Sequence, residues 1–392
     1  MTAGIFDDIK VIDTDTHVIE PPDLWTSRIS VKKWGDKVPH VRWDDAAGEE
    51  FWYFGDTKIY GAATPAMAGW HEFPPDHPKR IADADPSTWD VSKRLAKMDE
   101  LGIHAQVLYP NVAGFGTGRF TQVGDAELML ECVQAYNDFL IDYSSTAPER
   151  FVPIAAVPFW DVDLAVQEIR RAADTGHKGV AFGSEPDSWG APPLTAFHWD
   201  PIWAACQDLD LPVNFHIAAG DVSGARSGTP DHGVRAHFAS FGVQFFLGNA
   251  ATLAKLTCGG ICHRFPRLNF VSVESGVGWI PFALASLDWQ WKNCAVTSEH
   301  PEYDLLPSEY FQRQIYGCFW FEEETAKQAI ELLGPNNILF ETDFPHPTSM
   351  TPGPATFARA PQDYVAEALG DLPSDTLRKI LHDNAARVYH LD

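Results

Sequence analysis

The chain has 392 residues, of which 45% are hydrophobic and 21% charged, so it is long enough to bury a large core. Its formal net charge of −25 argues against a nucleic-acid partner and against an anionic membrane surface, because both would repel it. Its six cysteines form no CxxC pair, and neither a signal peptide nor a long apolar run is visible, so we expect a cytoplasmic protein without a disulfide framework.

Short apolar runs alternate with amphipathic helical stretches along the chain, a pattern typical of parallel βα units. The first predicted strand covers residues 10–15. A polar, Trp-rich stretch at about residues 21–86 follows it and contains a predicted hairpin, residues 38–43 and 50–59 around a turn at 45–48. We interpret this stretch as an insertion, part of a lid or of a subunit contact.

Seven further strands are predicted, with helices between most of them, at residues 105–109, 151–157, 179–182, 212–216, 268–274, 315–320 and 337–342. The helices are predicted at residues 91–98, 127–146, 164–175, 201–209, 252–263 and 326–333 and from Ser374 onward, with a long loop at 218–233. A doubly wound open sheet would give the same alternation. Eight units and the placement of the polar residues favour an α/β fold, a closed (β/α)8 TIM barrel in which residues 1–392 form one domain.

Side chains that can bind a metal follow several predicted strands. They are Asp15, His17 and Glu20 after the first strand, His216 after the fifth, Glu274 after the sixth, and Asp343 and His346 after the eighth. Because the carboxyl ends of the strands meet at one rim of a barrel, these side chains could converge although they are far apart in sequence. Asp15 and His17 are two residues apart and point to the same side of a strand, so they can bind one ion together.

Each of these residues also has an ordinary structural interpretation when it is taken singly. A lone histidine at a strand end is usually structural, and an aspartate before a loop is usually a cap or turn residue. Their joint position at strand ends favours a metal site with one or two divalent transition-metal ions. A mixed imidazole and carboxylate ligand set suits Zn, Fe or Mn.

Four segments resemble the second amidohydrolase family, in the branch that contains aminocarboxymuconate-semialdehyde decarboxylase. They are VIDTDTHVIEP at residues 11–21, NFH at 214–216, LFETDFPHP at 339–347 and NAARVY at 384–389, so the resemblance spans nearly the whole chain. It implies a barrel of the metal-dependent hydrolase type. In it, Asp15 and His17 match the first ligand pair, His216 the strand-five ligand and Asp343 the strand-eight aspartate. The first pair is Asp-x-His where many members have His-x-His, and Glu274 stands where the family often has a catalytic histidine.

The residues leave three functions open. Hydrolysis of an acyl bond (amide, ester, lactone or thioester) of a small, partly apolar substrate through a metal-activated water is favoured, because Glu20, Glu274 and His346 are surplus metal-capable residues. Asp343 would then be the general base, with Glu274 as an acid/base or ligand and His346 binding a second metal or protonating the leaving group. The alternative, which rests on the resemblance, is nonoxidative decarboxylation of an aromatic or unsaturated acid. A non-catalytic barrel is the remaining hypothesis.

Residues that could bind a small-molecule substrate are less specific. Trp25, Phe115, Trp279 and Phe344 fall near rim segments and could line an apolar pocket, although ordinary aromatic packing explains each one better when it is taken singly. Arg119, with Arg226 and Lys58, could hold an anionic group, although surface charge is the alternative interpretation. Members of the family are often homodimers, so the resemblance also implies a homodimer.

Overall fold

The computed structural model describes residues 4–218, 231 and 233–391 of the chain. Arg226 and most of the predicted loop at residues 218–233 lie outside the described residues. Within the described part, no helix is long and apolar enough to cross a membrane.

Eight of the described strands form a parallel sheet at the centre of the molecule, and the other three form a separate antiparallel sheet. The strands, numbered along the chain, are β1 (Val11–His17), β2 (His40–Asp44), β3 (Glu49–Phe54), β4 (Thr57–Gly61), β5 (Ile103–Tyr109), β6 (Phe151–Ala155), β7 (Gly179–Ala181), β8 (Val213–His216), β9 (Phe270–Val273), β10 (Ile315–Phe319) and β11 (Ile338–Phe340). The central sheet has the order β1-β5-β6-β7-β8-β9-β10-β11. A parallel bridge between Thr16 and Phe344 joins the two ends. The predicted (β/α)8 barrel is therefore confirmed.

Helices surround this barrel. Numbered along the chain, they are α1 (Ile5–Asp8), α2 (Val31–Trp34), α3 (Val91–Glu100), α4 (Ala126–Ser144), α5 (Val162–Thr175), α6 (Asp200–Asp208), α7 (Val234–Phe246), α8 (Gly248–Cys258), α9 (Ile261–Arg264), α10 (Ile280–Asn293), α11 (Val296–Glu299), α12 (Pro307–Gln314), α13 (Glu324–Leu333), α14 (Pro361–Tyr364), α15 (Ser374–Arg378) and α16 (Asn384–Tyr389). Asp90, Asp125 and Asp161 cap α3, α4 and α5, because each carboxylate accepts a hydrogen bond from a backbone N–H of the first turn.

Two elements differ from the prediction at glycines that adopt a positive φ. The helix predicted at residues 252–263 is divided into α8 and α9, since Gly260 has a φ of 70° and a Cβ there would lie 1.9 Å from Tyr303 Oη. The second strand of the predicted hairpin is divided into β3 and β4 by Gly55, with a φ of 59°. The hairpin is therefore a three-stranded antiparallel sheet, β2-β3-β4.

Successive residues of the barrel strands pack into two different cores, as the alternation of side chains along a strand requires. Val11 belongs to the outer core between the strands and the helices, whereas its neighbour Ile12 belongs to the core inside the barrel. Val388 and Tyr389 of α16 pack into this inner core. Side chains therefore fill the barrel, and polar groups gather at the ends of its strands.

A buried hydrogen-bond network holds β1 against β11. Asp13 accepts hydrogen bonds from Thr342 N at 2.8 Å, from Thr342 Oγ1 at 2.6 Å and from Gln106 Nε2 at 3.2 Å. Burial raises the pKa of Asp13 to about 7. Because Thr342 precedes Asp343 and Asp13 is two residues from Asp15, this network fixes the positions of two candidate metal ligands relative to each other.

Candidate metal centre

Six of the predicted site residues meet at the carboxyl end of the barrel. They are Asp15, His17, His216, Glu274, Asp343 and His346, and all are buried. Backbone hydrogen bonds from Asp343 N to Asp15 O, 2.9 Å, and from His17 N to Phe344 O, 2.7 Å, hold the ends of the first and last barrel strands together. The site therefore depends on closure of the barrel.

Asp15 and the two histidines form the most compact part of the cluster. Asp15 Oδ1 lies 3.3 Å from His17 Nε2 and 3.4 Å from His216 Nε2, and the two Nε2 atoms are 3.2 Å apart. His216 Nδ1 donates to the carbonyl of Ile217 at 2.9 Å, so the Nε2 of neutral His216 carries a lone pair directed at the cluster. A hydrogen bond from the other ring nitrogen to a carbonyl orients metal-binding histidines in other proteins in the same way.

Glu274 and Asp343 add carboxylates on the other side of the cluster. Glu274 Oε2 lies 3.4 Å from His216 Nε2, and Asp343 Oδ1 lies 3.7 Å from His17 Nε2. Thr348 Oγ1 lies within hydrogen-bond distance of both carboxylates. Glu274 and Asp343 have φ values of 55° and 56°, in the left-handed region that non-glycine residues rarely adopt. Residues held in this conformation are concentrated at functional sites.

His346 connects the cluster to a second buried carboxylate. Its Nδ1 lies 2.9 Å from Asp343 Oδ1, and its Nε2 lies 2.9 Å from Asn111 Oδ1. Asn111 Nδ2 donates to Val18 O and to Glu20 Oε2, so its Oδ1 is the atom that faces His346. His346 Nε2 must therefore carry a proton, which leaves Nδ1 of the neutral ring free to accept one from the side of Asp343.

The electrostatics of the cluster require a cation or added protons. Burial and the charge of Asp343 raise the pKa of Glu274 well above its ordinary value, and burial and the charge of Asp15 do the same for Asp343. Burial lowers the pKa of both His17 and His346 to about 3, and their rings stack at 3.8 Å. The carboxylates cannot all be ionised this close together unless a positive charge lies among them.

The donor atoms fit a divalent cation. Both oxygens of Asp15 and Asp343 Oδ1 are buried without a hydrogen-bond partner among the described residues. Three groups of possible ligands have atoms within 4.8 Å of one another: Asp15, His17 and His216; His17, Asp343 and His346; and Asp15, Glu274 and Asp343. Buried polar atoms without partners are rare, so a metal ion is the simplest explanation of these.

The family model described as Amidohydrolase matches residues 12–391, which is nearly the whole chain. The chain belongs to the amidohydrolase family. Its curated relatives place it in the branch that the sequence motifs indicate. A gamma-resorcylate decarboxylase from Polaromonas sp. is 27% identical over 64% of this chain and 76% of its own length. A 2-amino-3-carboxymuconate-6-semialdehyde decarboxylase from Dictyostelium discoideum is 24% identical over 80% of both chains.

Solved structures of the family share the fold. An amidohydrolase from Mycobacterium avium subsp. paratuberculosis is 22% identical, with a TM-score of 0.76 over 97% of this chain and 99% of its own. A dihydroxybenzoic acid decarboxylase from Polaromonas sp., solved with manganese and 2-nitroresorcinol, is 19% identical, with a TM-score of 0.62 over 98% of this chain and 97% of its own. The protein is therefore an enzyme of the amidohydrolase superfamily, and a divalent metal is supported.

The hydrolase expectation is wrong, because the relatives that the chain resembles are decarboxylases of aromatic or unsaturated acids. That expectation counted Glu20 as a surplus metal-binding residue. The structure places Glu20 outside the cluster, where it accepts hydrogen bonds from Asn111 N at 2.7 Å, Val112 N at 2.9 Å and Asn111 Nδ2 at 3.1 Å. Its carboxylate holds the loop after β5 instead of facing the other candidate ligands.

The predicted substrate-binding residues are divided between the site and the core. Phe115 lies at the site, where its ring stacks on His216 at 3.8 Å. Arg119 lies beside it, but its guanidinium donates to Asn111 O at 2.7 Å and packs over Tyr60.

The other three predicted residues lie in the packing around the barrel. Trp25 is buried and donates to Cys132 O at 3.0 Å, and Phe344 is buried beneath the guanidinium of Arg94. Trp279 lines a small internal cavity among α8, α10 and α12, and its Nε1 donates to Ser275 O. Their aromatic side chains serve the core because the segments that follow the strands turn back onto the barrel wall.

Four residues of the site are absent from the sequence-based prediction. Three of them could have been identified from their position at the end of a predicted strand or within ten residues after it: Asn111, Glu341 and Thr348. Glu341 is buried, and burial and the charge of Asp15 raise its pKa well above the ordinary value. Arg94 lies on α3 and donates to the carbonyls of His17, Ser87 and Thr88, and no sequence signal marks it.

Proposed function

We propose that this enzyme is a metal-dependent nonoxidative decarboxylase of an aromatic acid with a hydroxyl group next to the carboxylate. One observation carries the proposal: a buried cluster of imidazole and carboxylate ligands includes Asp343, whose Oδ1 has no hydrogen-bond partner among the described residues. Such a site combines a place for a cation with a proton donor. The decarboxylase relatives, and the manganese in a solved structure of the same fold, support the proposal.

Asp15, His17, His216 and Asp343 are the proposed ligands, with Glu274 beside them, and manganese is the proposed ion. When bound, the ion would neutralise the cluster and hold the carboxylate and hydroxyl of the substrate. Phe115 stacks on His216 and gives the substrate ring an apolar surface at the entrance to the cluster. Burial and the charge of Asp15 are the causes that raise the pKa of Asp343.

The proposed reaction needs one proton and no oxidant. Asp343 donates its proton to the ring carbon that bears the carboxylate, and a C–H bond forms. The bond between that carbon and the carboxylate then breaks, its electron pair returns to the ring, and carbon dioxide leaves. His346 Nδ1 lies 2.9 Å from Asp343 Oδ1 and accepts a hydrogen bond from the protonated carboxyl, which orients it. A proton from water restores Asp343 after carbon dioxide leaves.

The test is incubation of the manganese-loaded protein with 2-hydroxybenzoate, 2,6-dihydroxybenzoate and 5-carboxyvanillate. Release of carbon dioxide and the appearance of the phenol are measured, and in D2O the phenol should carry one deuterium at the vacated carbon. Asp343→Asn should lower kcat by at least about a hundredfold, the usual scale for loss of a general acid. Asp371→Asn is the matched control, since Asp371 is exposed and pairs with Lys327 on the surface. If the metal-loaded protein decarboxylates none of the three acids, the proposal is wrong.

A further inference from the structure

A cleft lined with aromatic side chains lies next to the metal centre. It has about 450 Å³ of free volume, and its walls include Phe246, Phe321, Met350 and Phe357. We call it the aromatic cleft. Clefts of roughly 300–1,000 Å³ are the size that holds a drug-sized ligand. The aromatic cleft is therefore larger than a single-ring acid requires.

The aromatic cleft adjoins the candidate metal centre at Thr348. Thr348 lines the cleft, and its hydroxyl lies within hydrogen-bond distance of both Asp343 and Glu274. Pro347, which follows His346 directly, lines the same wall. Thr348 therefore connects the cluster to the wall of the aromatic cleft.

Two of these aromatic side chains are exposed, although each contacts another ring, Phe357 that of Phe73 with the centroids 5.9 Å apart. Phe321 is 52% exposed and Phe357 is 95% exposed. Phe321 does contact Phe246 and Trp320, with ring centroids 5.7 and 4.6 Å apart, so it stands on a rigid aromatic base. Exposed aromatic groups that gather beside a site, instead of being scattered singly, are typical of a surface that binds apolar groups.

The charges of the aromatic cleft exclude an anionic end group on the ligand. Among the described residues that line it, the two ionic side chains are Glu323 and Arg359, which pair with each other. Arg359 also pairs with Glu367 at 2.6 Å. The guanidinium is therefore fully used by protein carboxylates, and no positive charge is left for a second carboxylate of the substrate.

From this geometry we infer that the substrate carries a second, uncharged apolar group, such as another ring, which binds in the aromatic cleft against Phe321 and Phe357. The inference rests on the proposed decarboxylation for the placement of the carboxylate. It goes further in assigning the substrate class: a two-ring or long-chain hydroxy acid in preference to a single-ring acid. The added group lies on the side of the ring away from the carboxylate.

The experiment compares 2-hydroxybenzoate with 3-hydroxy-2-naphthoate, which has the same carboxylate and hydroxyl and a second ring fused on the far side. KM is measured for both acids with the manganese-loaded protein. If neither acid reacts, equilibrium dialysis of the unreacted acids gives Kd instead, so failure of the proposed chemistry and failure of this inference remain distinguishable. The wild type should prefer the two-ring acid by at least roughly tenfold, the usual scale for filling an apolar pocket.

The variants are Phe321→Ala combined with Phe357→Ala, and the matched control is Phe282→Ala. Phe282 is 78% exposed on α10 and lines a different surface depression. The double variant should lose the preference for the two-ring acid and change KM or Kd for 2-hydroxybenzoate less than twofold, whereas the control should behave as the wild type.

Three results would overturn the inference. The wild type could bind both acids equally, or the double variant could weaken both acids equally. The double variant could also change the sedimentation coefficient of the protein while the preference stays the same, which would identify the exposed aromatic groups as a contact between subunits.

Discussion

Replacing Asn111 by aspartate should make the stability of the protein depend on pH. Asn111 Nδ2 lies 3.1 Å from Glu20 Oε2, so the substitution places a second carboxylate oxygen at that distance from a carboxylate that is 1% exposed. At an effective dielectric constant of about 20, two unit charges separated by 3.1 Å repel each other by 332/(20 × 3.1), or about 5 kcal/mol. The folded variant relieves this repulsion by binding one proton.

The sign of the pH dependence follows from this bound proton. Burial already raises the pKa of Glu20 in the wild type, and the added carboxylate raises it further. The folded variant then holds a proton that the unfolded chain releases above about pH 4, so the free energy of unfolding falls as pH rises. The loss is about 1.4 kcal/mol for each pH unit until the folded protein also releases the proton, and about 5 kcal/mol in total.

The assay is urea unfolding of the wild type and the variant at pH 5, 6, 7 and 8. Asn111→Ala is the control, because it removes the same hydrogen bonds without adding a charge. We expect it to lower the free energy of unfolding by about 2 kcal/mol, with a smaller pH dependence than Asn111→Asp because no charge is added. If Asn111→Asp loses no more stability between pH 5 and pH 8 than the wild type does, the contact between Asn111 and Glu20 is not as described.

Three further predictions concern the metal and the core. His216→Ala should bind substantially less manganese per chain than the wild type, as measured by plasma mass spectrometry after dialysis against metal-free buffer, and equal metal content would exclude His216 as a ligand. Removal of the metal by a chelator should lower the thermal midpoint, measured by calorimetry, more at pH 8 than at pH 5. The pKa values of Glu274 and Asp343 are raised, so the metal-free fold loses stability as pH rises. An equal shift of the midpoint at both pH values would contradict this. Trp25→Ala should lower the free energy of unfolding by about 3–5 kcal/mol and leave KM unchanged, because Trp25 packs against Trp52 in the core. A raised KM would instead place Trp25 in the substrate site.

Much of the barrel could be predicted from local patterns. The eight strands were expected at the positions where the structure has them, within a few residues, because each is a short apolar run followed by a polar strand end. Two predicted elements are divided where the backbone bends at Gly55 and Gly260, since a positive φ depends on the room around the glycine as well as on its sequence. The helices α7, α10 and α12 were not predicted. The single-domain organisation, the homodimer and the cytoplasmic location stay predictions.

The substrate-facing residues were harder to predict than the candidate ligands. Ligand types are rare at strand ends, so Asp15, His17, His216 and Asp343 could be identified by position alone. Aromatic side chains are common both in cores and in pockets, and only packing decides between the two. Phe115 therefore lies at the cluster, whereas Trp25, which looks equally suitable in the sequence, lies in the core.

The sequence by itself determined the family, the barrel and the identities of the candidate ligands, because strand periodicity and short motifs are local properties of the chain. The tertiary structure decided which carboxylates face the site. Glu20 and Asp15 are five residues apart on the same segment, yet Glu20 holds the backbone at residues 111–112 and Asp15 enters the cluster. This difference arises because closure of the barrel brings β5 and the end of β11 against β1, and such contacts between distant segments leave no local pattern in the sequence.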